Sequence, residues 1–241
     1  MNDKVQGIVI QTVRYGDTSL IVKVFTHDHG LKSYMVKGAF SRTSKNKAAF
    51  FQHLNIISFV EVGKPNGNVL GYLKDVQLDY SYQSLPFEMN KSAIMLYVSE
   101  LLSKTLVGQE QNDDLYLFVL KSLEWLDLVE GGYANFPLFF TLELTRFLGF
   151  YPKPGYAEGS CFDMMEGVFV AGYPVHPYYL GTSASALLFH LLGKGIDEAC
   201  QLPLNVNQRR ELMDGLIVFM RLHTPVMKNF QSHEVLKAVL Q

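Results

Sequence analysis

The fold is decided early in the chain, by the stretch Tyr15-Gly16-Asp17-Thr18-Ser19-Leu20-Ile21-Val22-Lys23-Val24-Phe25. Its first three residues predict a turn, because glycine and aspartate tolerate the backbone angles that tight turns need. The apolar, β-branched run that follows favours a strand. Before the turn, Val5, Ile8 and Ile10 lie in a second segment of strand length. The pattern therefore predicts two antiparallel strands joined at this turn.

Three more segments of strand length follow, and turn-forming residues at 27–30 and 63–68 bound them. These segments cover residues 31–37, 55–62 and 69–78. Five short strands within residues 1–82 favour a small closed β-barrel of the OB type.

The composition changes after Pro86, where apolar residues begin to recur at helical spacing. Helices are predicted at 88–107, from a cap near Asn112 to 129, from a cap at Asn135 to 149, and then at 183–192, 207–222 and 232–240. The fold class is thus an α+β multidomain protein. An N-terminal five-stranded OB-fold barrel, residues 1–82, precedes a mainly α-helical C-terminal domain, residues 83–241, with a small irregular hairpin insertion at about 150–182.

Charge is distributed unevenly between these two parts, although the net charge is only −2. Residues 1–84 carry a balance of +4 and residues 85–241 a balance of −6. No acidic residue occurs between Asp28 and Glu61. Lysine and arginine release the counterions condensed on nucleic acids, and aromatic rings stack on bases. The predicted DNA contacts in and beside this window are Arg14, Lys32, Lys37, Phe40, Arg42, Lys45 and Lys47.

A second interpretation of the same window is a solvated loop between two strands. The role of Lys23 also has two interpretations, since an exposed strand lysine can contact a ligand or protect a sheet edge. Phe50 and Phe51 are core candidates rather than stacking residues.

The sequence shows no pattern of an enzyme or of a metal site. It lacks the phosphate-binding, dinucleotide-binding, nucleophile-elbow and H-E-x-x-H motifs. Cys161 and Cys200 are too few for a disulfide framework and lack the paired spacing of structural zinc ligands. No run is long and apolar enough for a membrane span. We therefore expect a non-catalytic protein of the reducing cytoplasm without cofactor or metal.

Several segments resemble the RecO family of bacterial recombination mediators and DNA repair proteins. The N-terminal ones are Tyr15-Gly16-Asp17-Thr18-Ser19-Leu20-Ile21-Val22, Phe25-Thr26 with Gly30, and Val36-Lys37-Gly38-Ala39. The helical ones are Glu100-Leu101-Leu102, Phe140, Glu143-Leu144, Leu148-Gly149-Phe150 and Pro152, followed by Lys228-Asn229-Phe230 with Ser232. No single motif is specific, but their order and spacing cover nearly the whole chain.

The resemblance implies an N-terminal OB-fold and a helical C-terminal domain. It also implies binding of single- and double-stranded DNA, annealing of complementary strands, contact with the tail of the single-strand-binding protein, and loading of RecA together with RecR at the nucleoid. Many members carry a four-cysteine zinc ribbon, whereas this chain offers only Cys161 there, so we predict no zinc. Arg146, which lies between apolar neighbours on a predicted helix, is the candidate for the acidic tail.

Two other functions remain open from the residues alone. The chain could be a protein-interaction adaptor, in which the acidic helical part docks a partner and the barrel is a scaffold. It could also be an RNA-binding OB-fold protein, because RNA and DNA present the same phosphates and stackable bases.

Overall fold

A computed structural model of the chain describes residues 4–40, 47–63, 70–108, 111–224, 227 and 229–240. The chain divides into two compact units, Met1–Leu123 and Glu124–Gln241. The first unit contains a β-barrel and the second is mainly helical. The predicted domain boundary after residue 82 remains a prediction.

Five strands close the barrel of the first unit in the order β1-β2-β3-β5-β4. They are β1 (Lys4–Tyr15), β2 (Ser19–Thr26), β3 (Gly30–Val36), β4 (Ile56–Val62) and β5 (Gly71–Leu78). The pairs β1–β2, β2–β3, β1–β4 and β4–β5 are antiparallel. Strands β3 and β5 run parallel and pair at two positions, Tyr34 with Gly71 and Met35 with Tyr72. The predicted N-terminal OB-type barrel is confirmed.

Apolar residues fill the barrel because alternate positions on each strand point inward. Val9, Val22, Tyr34, Ile57 and Phe59 are all completely buried there. Closure also requires a residue without a side chain at one point. A Cβ atom on Gly7 would lie 2.4 Å from Val24 Cγ1 and 3.1 Å from the Phe25 carbonyl oxygen, so the strands could not approach as they do.

One helix follows the barrel within the first unit, and the next helix crosses from the first unit into the second. Helix α1 (Met89–Thr105) packs on β1, and Ser99 Oγ donates a hydrogen bond of 3.0 Å to the Ile10 carbonyl. Helix α2 (Asp113–Leu128) begins as predicted, since the Leu115 N–H donates to Asn112 Oδ1 at 2.9 Å. A capping side chain that accepts this bond satisfies one of the free N–H groups of the first turn.

Five helices and a small sheet make up the rest of the described second unit. The helices are α3 (Phe136–Phe147), α4 (Thr182–Leu191), α5 (Ile196–Cys200), α6 (Val206–His223) and α7 (Ser232–Val239). The sheet has the order β7-β6-β8, with β6 (Ser160–Asp163), β7 (Val168–Ala171) and β8 (Tyr179–Leu180). It confirms the predicted hairpin insertion, while α5 and β8 were not predicted.

The predicted cap at Asn135 is confirmed in its position but not in its hydrogen bond. Asn135 precedes α3, but its side chain makes no capping hydrogen bond. Instead, Asn135 Nδ2 donates to the carbonyl oxygens of Ala199, at 3.2 Å, and Leu202, at 2.9 Å. Asn135 is buried, so its amide N–H groups need acceptors, and these are carbonyl oxygens in α5 and just after it rather than any group of the first turn of α3.

Among the described residues, no helix combines the length and apolar character that crossing a membrane requires. Both cysteines are free thiols and both are buried. Burial raises the pKa of Cys200 to about 12, so its thiol remains protonated at neutral pH.

Candidate nucleic-acid interface

The strand register brings Arg14 and the residues after β3 to one end of the barrel. Arg14 pairs with Leu20 on β2, and Leu20 pairs with Val36, the last residue of β3. Gly38 then takes a positive φ of 67°, which reverses the chain. The Phe40 N–H donates a 3.2 Å hydrogen bond to the Thr18 carbonyl oxygen, so this turn is fastened to the turn between β1 and β2.

Arg14 and Phe40, both predicted DNA contacts, meet at this end. The guanidinium carbon of Arg14 lies 5.1 Å from the centre of the Phe40 ring, within the range of a cation–π contact. Arg14 Nη2 also donates to the Asp17 carbonyl oxygen at 3.1 Å. Phe40 nevertheless remains 46% exposed. A positive charge and an accessible aromatic surface are therefore presented side by side.

Lys37 makes a similar pair with a residue that the sequence did not reveal. Its ammonium group lies 5.0 Å from the centre of the Tyr72 ring, and Tyr72 is 40% exposed. The contact arises because β3 and β5 run parallel and place Met35 beside Tyr72. We call Arg14, Lys37, Phe40 and Tyr72 the barrel-end cluster. No carboxylate of the described residues lies within ion-pair distance of either cation of this cluster.

Of the other predicted DNA contacts, Lys32 alone has a described side chain, and it lies outside this cluster. Lys32 is half-buried on β3 opposite Val24, five residues before Lys37 and thus about 16 Å away along the strand. Arg42 and Lys45 lie outside the described residues. Lys47 begins a short 3-10 helix, Lys47–Phe51, and its side chain is not described. Phe51 is buried in the barrel core and Phe50 is partly buried against it, as the core interpretation predicted.

A row of side chains crosses the outside of the barrel beside this cluster. Val13 pairs with Ile21, Ile21 with Met35, and Met35 with Tyr72. Paired residues point to the same side of a sheet, and none of these four is fully buried. We call Val13, Ile21, Met35 and Tyr72 the outer row. Lys23 occupies the next row, between Gln11 and Ser33, and therefore shares this outer face.

The acidic residue that ends the acid-free window is held away from these cations. Tyr34 is buried in the barrel, and its hydroxyl donates to Glu61 Oε1 at 3.1 Å. Burial, followed by the nearby Glu61 charge, raises the pKa of the Tyr34 phenol well above its ordinary value, so it remains a donor. The Glu61 carboxylate is thereby held by an inward-facing side chain.

Arg146, the candidate for the acidic tail, lies near the end of α3 and is already paired. Its Nε and Nη2 atoms donate to the two carboxylate oxygens of Glu143, at 2.9 and 3.1 Å. Its guanidinium carbon lies 3.8 Å from the centre of the Tyr151 ring. The hydrogen bonds that Arg146 donates to Glu143 raise the pKa of Arg146. The side chain is 48% exposed, so a ligand can reach it but would compete with Glu143.

A cleft in the second unit has apolar walls and basic side chains at its rim. Its volume is about 320 Å³, counted with its opening to solvent. It is lined by Ala134, Pro137, Leu138, Arg209, Arg210, Met213, Leu236, Lys237 and Leu240. Arg210 Nη2 donates to the Lys237 carbonyl oxygen at 3.1 Å, and the Lys237 ammonium contacts Asp214 and Glu234. No local pattern in the sequence indicates this cleft, because α3, α6 and α7 meet there from distant positions.

The hairpin region is held by hydrogen bonds around Asp163. Asp163 Oδ1 accepts hydrogen bonds from the N–H groups of Met165 and Glu166, and Asp163 Oδ2 lies 3.1 Å from His176 Nε2. Cys161 is completely buried on β6. Within the described ranges, no three histidine, cysteine or acidic side chains converge as metal ligands.

Comparisons with known proteins agree with the fold. Family models described as Recombination protein O N terminal and Recombination protein O C terminal match residues 1–82 and 86–154. The DNA repair protein RecO of Flavobacterium psychrophilum is 36% identical over 241 residues, covering 99% of each chain. The DNA repair protein RecO of Phocaeicola vulgatus is 32% identical over 238 residues, covering 98% of each chain. The chain therefore belongs to the RecO family of DNA repair proteins.

Proposed function

We propose that this chain binds DNA through the barrel-end cluster and anneals complementary strands there. The observation that carries the proposal is that Arg14 and Lys37 each lie over a partly exposed aromatic ring at the same end of the barrel. Cations that contact phosphates supply affinity for any sequence, and rings accept any base. Such a surface suits a protein that has to hold strands irrespective of their sequence.

Annealing needs no bond-making group. Two complementary strands repel each other through their phosphates, and a cationic surface reduces this repulsion when both lie on it. Arg42, Lys45 and Lys47, which share the acid-free window, would extend this cationic surface, and Lys32 would meet a strand that continues along β3. Duplex DNA would be held through the same phosphate contacts without stacking.

The salt dependence of binding tests this proposal. The double variant Arg14→Ala, Lys37→Ala should flatten the slope of log affinity against log salt by roughly 0.7 per lost contact on single strands. The control is Lys153→Ala, Lys194→Ala, which removes two cations from the second unit. A slope that stays the same in the barrel variant, or falls equally in the control, rejects the barrel end as the DNA site.

We also propose that the second unit receives the acidic, apolar-ended tail of the single-strand-binding protein. Arg146 offers a guanidinium but would have to exchange Glu143 for the tail carboxylate. The cleft offers apolar walls together with Arg209, Arg210 and Lys237 at its rim, the combination that such a tail requires. In a titration with a tail peptide, Arg210→Ala should weaken binding more than Arg146→Ala. If Arg146→Ala and the unmodified protein bind the tail peptide with equal affinity, Arg146 is rejected as a contact of the tail.

Cooperation with RecR and loading of RecA are further proposals, which rest on membership of the family. A strand-annealing assay on strands coated with single-strand-binding protein tests the activity as a whole. DNA binding that vanishes in the pure protein and returns with a partner would favour the adaptor alternative. Competition between DNA and RNA strands of equal length decides between DNA and RNA as the ligand.

A further inference from the structure

We infer that Tyr72 and the outer row form a base-stacking surface that gives the protein a preference for single strands over duplex DNA. The inference rests on the proposed function, because the barrel-end cations would hold the backbone of the same strand. It adds Tyr72 on β5 to the site, and it makes single-stranded DNA the preferred ligand. It also predicts that the strand crosses the β-strands of the barrel, which the cations alone do not define.

The first argument is the position of the ring. Tyr72 follows Gly71, whose partner Tyr34 points into the barrel, so Tyr72 points outward. Its neighbours in the row, Met35 and Ile21, are partly exposed, and Val13 at the far end is exposed. Four neighbouring strands spaced by about 4.8 Å give the row a length of about 14 Å. A ligand that lies along the row crosses the strands rather than following one of them.

The second argument is the role of Lys37. Its ammonium group contacts the Tyr72 ring and yet remains exposed. The contact with the ring limits the orientations of the lysine, and it places a positive charge beside the ring, where the phosphate of a stacked nucleotide would lie. Phe40 and Arg14 repeat this arrangement nearby. Each base-stacking ring thus has a phosphate-binding cation next to it.

The third argument concerns the form of the nucleic acid. In a duplex the faces of the bases are covered by their neighbours in the stack, so a ring on a convex barrel surface reaches only the backbone. In a single strand the faces are available, and a ring gains about 1–3 kcal/mol for each stacked base. The cations bind both forms, whereas the outer row favours only the single strand. This difference would retain unpaired strands and release them once they have paired.

The test compares three substitutions at Tyr72. Tyr72→Ala and Tyr72→Leu should weaken binding of an oligothymidine strand about 5- to 150-fold, the factor that corresponds to one lost stacked base. Tyr72→Phe, which keeps the ring, should bind like the unmodified protein. Affinity for a blunt duplex of equal length should be unchanged in all three, and the salt slope on the single strand should be unchanged because no cation is removed. Tyr173→Ala is the control, since Tyr173 is a 70% exposed tyrosine of the second unit.

The outcomes separate this inference from the proposed function. If Tyr72→Leu binds the single strand normally while the Arg14, Lys37 double variant loses its salt slope, the stacking surface is rejected and the cationic site stands. If Tyr72→Leu weakens single strand and duplex equally with an unchanged unfolding temperature, the preference for single strands is rejected. If neither variant changes binding, the proposed function itself fails.

Discussion

Arg14 in the barrel and Arg146 in the second unit each lie over an aromatic ring, but they differ in their other hydrogen-bond partners. In the barrel, Arg14 lies over Phe40 and donates to a backbone carbonyl, with no carboxylate among the described residues in ion-pair range. In the second unit, Arg146 lies over Tyr151 and is bonded through two nitrogens to Glu143. The first charge is available to an anionic ligand, whereas the second is already neutralised. We expect the carboxylate partner, rather than the ring, to decide which of the two arginines binds DNA.

Removing the ring of Phe40 or of Tyr151 gives the largest expected difference in single-strand binding between the two sites. Phe40→Ala should cost about 1–3 kcal/mol of single-strand binding, because the exposed ring can stack on a base. Tyr151→Ala should leave DNA binding unchanged. It should lower the free energy of unfolding by roughly 1 kcal/mol instead, because the Tyr151 hydroxyl accepts a 2.9 Å hydrogen bond from the Gly193 N–H. Fluorescence anisotropy measures the first effect and urea unfolding the second.

The single tryptophan makes the second measurement specific. Trp125 belongs to the second unit and donates a 2.8 Å hydrogen bond to Asp197. Its emission therefore reports on the unit that contains Tyr151. A loss of DNA affinity in Tyr151→Ala without unfolding would contradict the comparison.

Removing the two arginines gives a smaller difference of the same kind. Arg14→Ala should reduce the salt slope of single-strand binding by about 0.7, while Arg146→Ala should leave it unchanged. Arg146→Ala should lower the stability of the second unit by only about 0.2–1 kcal/mol, since its ion pair with Glu143 is exposed to solvent. If both variants lowered the salt slope equally, pairing with a carboxylate would not distinguish the two sites.

A change of pH provides the smallest and most selective test. Burial lowers the pKa of His233 in the second unit, so the unfolded chain takes up its proton at a higher pH than the folded chain does. The stability that neutral His233 contributes is complete above the unfolded pKa of about 6.5 and is lost as the pH falls below it. His233→Phe should therefore reduce the fall in the urea midpoint between pH 7 and pH 5. An identical pH dependence in the variant would show that His233 does not contribute.

The sequence predicted the fold well where local patterns decide it. Turn residues at Gly16 and Gly30, alternating apolar strands, and helical periodicity after Pro86 are local signals, and all of them appear in the structure. The position of the cap at Asn135 is confirmed, but the hydrogen bonds of its side chain could not be predicted, because their acceptors lie far away in sequence. Tyr72 was missed for a similar reason. Its contact with Lys37 depends on a parallel pairing between β3 and β5, which no local pattern contains.

The candidate site could be predicted only as a region. The absence of acidic residues between Asp28 and Glu61 drew attention to a region that includes Lys37 and Phe40, and the structure places both at the barrel end with Arg14; their binding of DNA stays a prediction. Charge alone did not show that Lys32 lies at the other end of β3, because strand direction has to be known first. Charge alone also did not show that Arg146 is hydrogen-bonded to Glu143, although a spacing of three residues on a helix allows such a pair.

The seam between β3 and β5 has a consequence for how the barrel moves. Two residue pairs join these strands, whereas eight join β1 to β2, so the seam is the place where the barrel opens most readily. Met35 and Tyr72 lie on its two sides. A strand of DNA that rests on both would tie the seam from outside, and amide hydrogens of Gly71 and Tyr72 would then exchange with solvent more slowly. Binding of DNA would thus be detectable as slower hydrogen exchange at the pairing between β3 and β5.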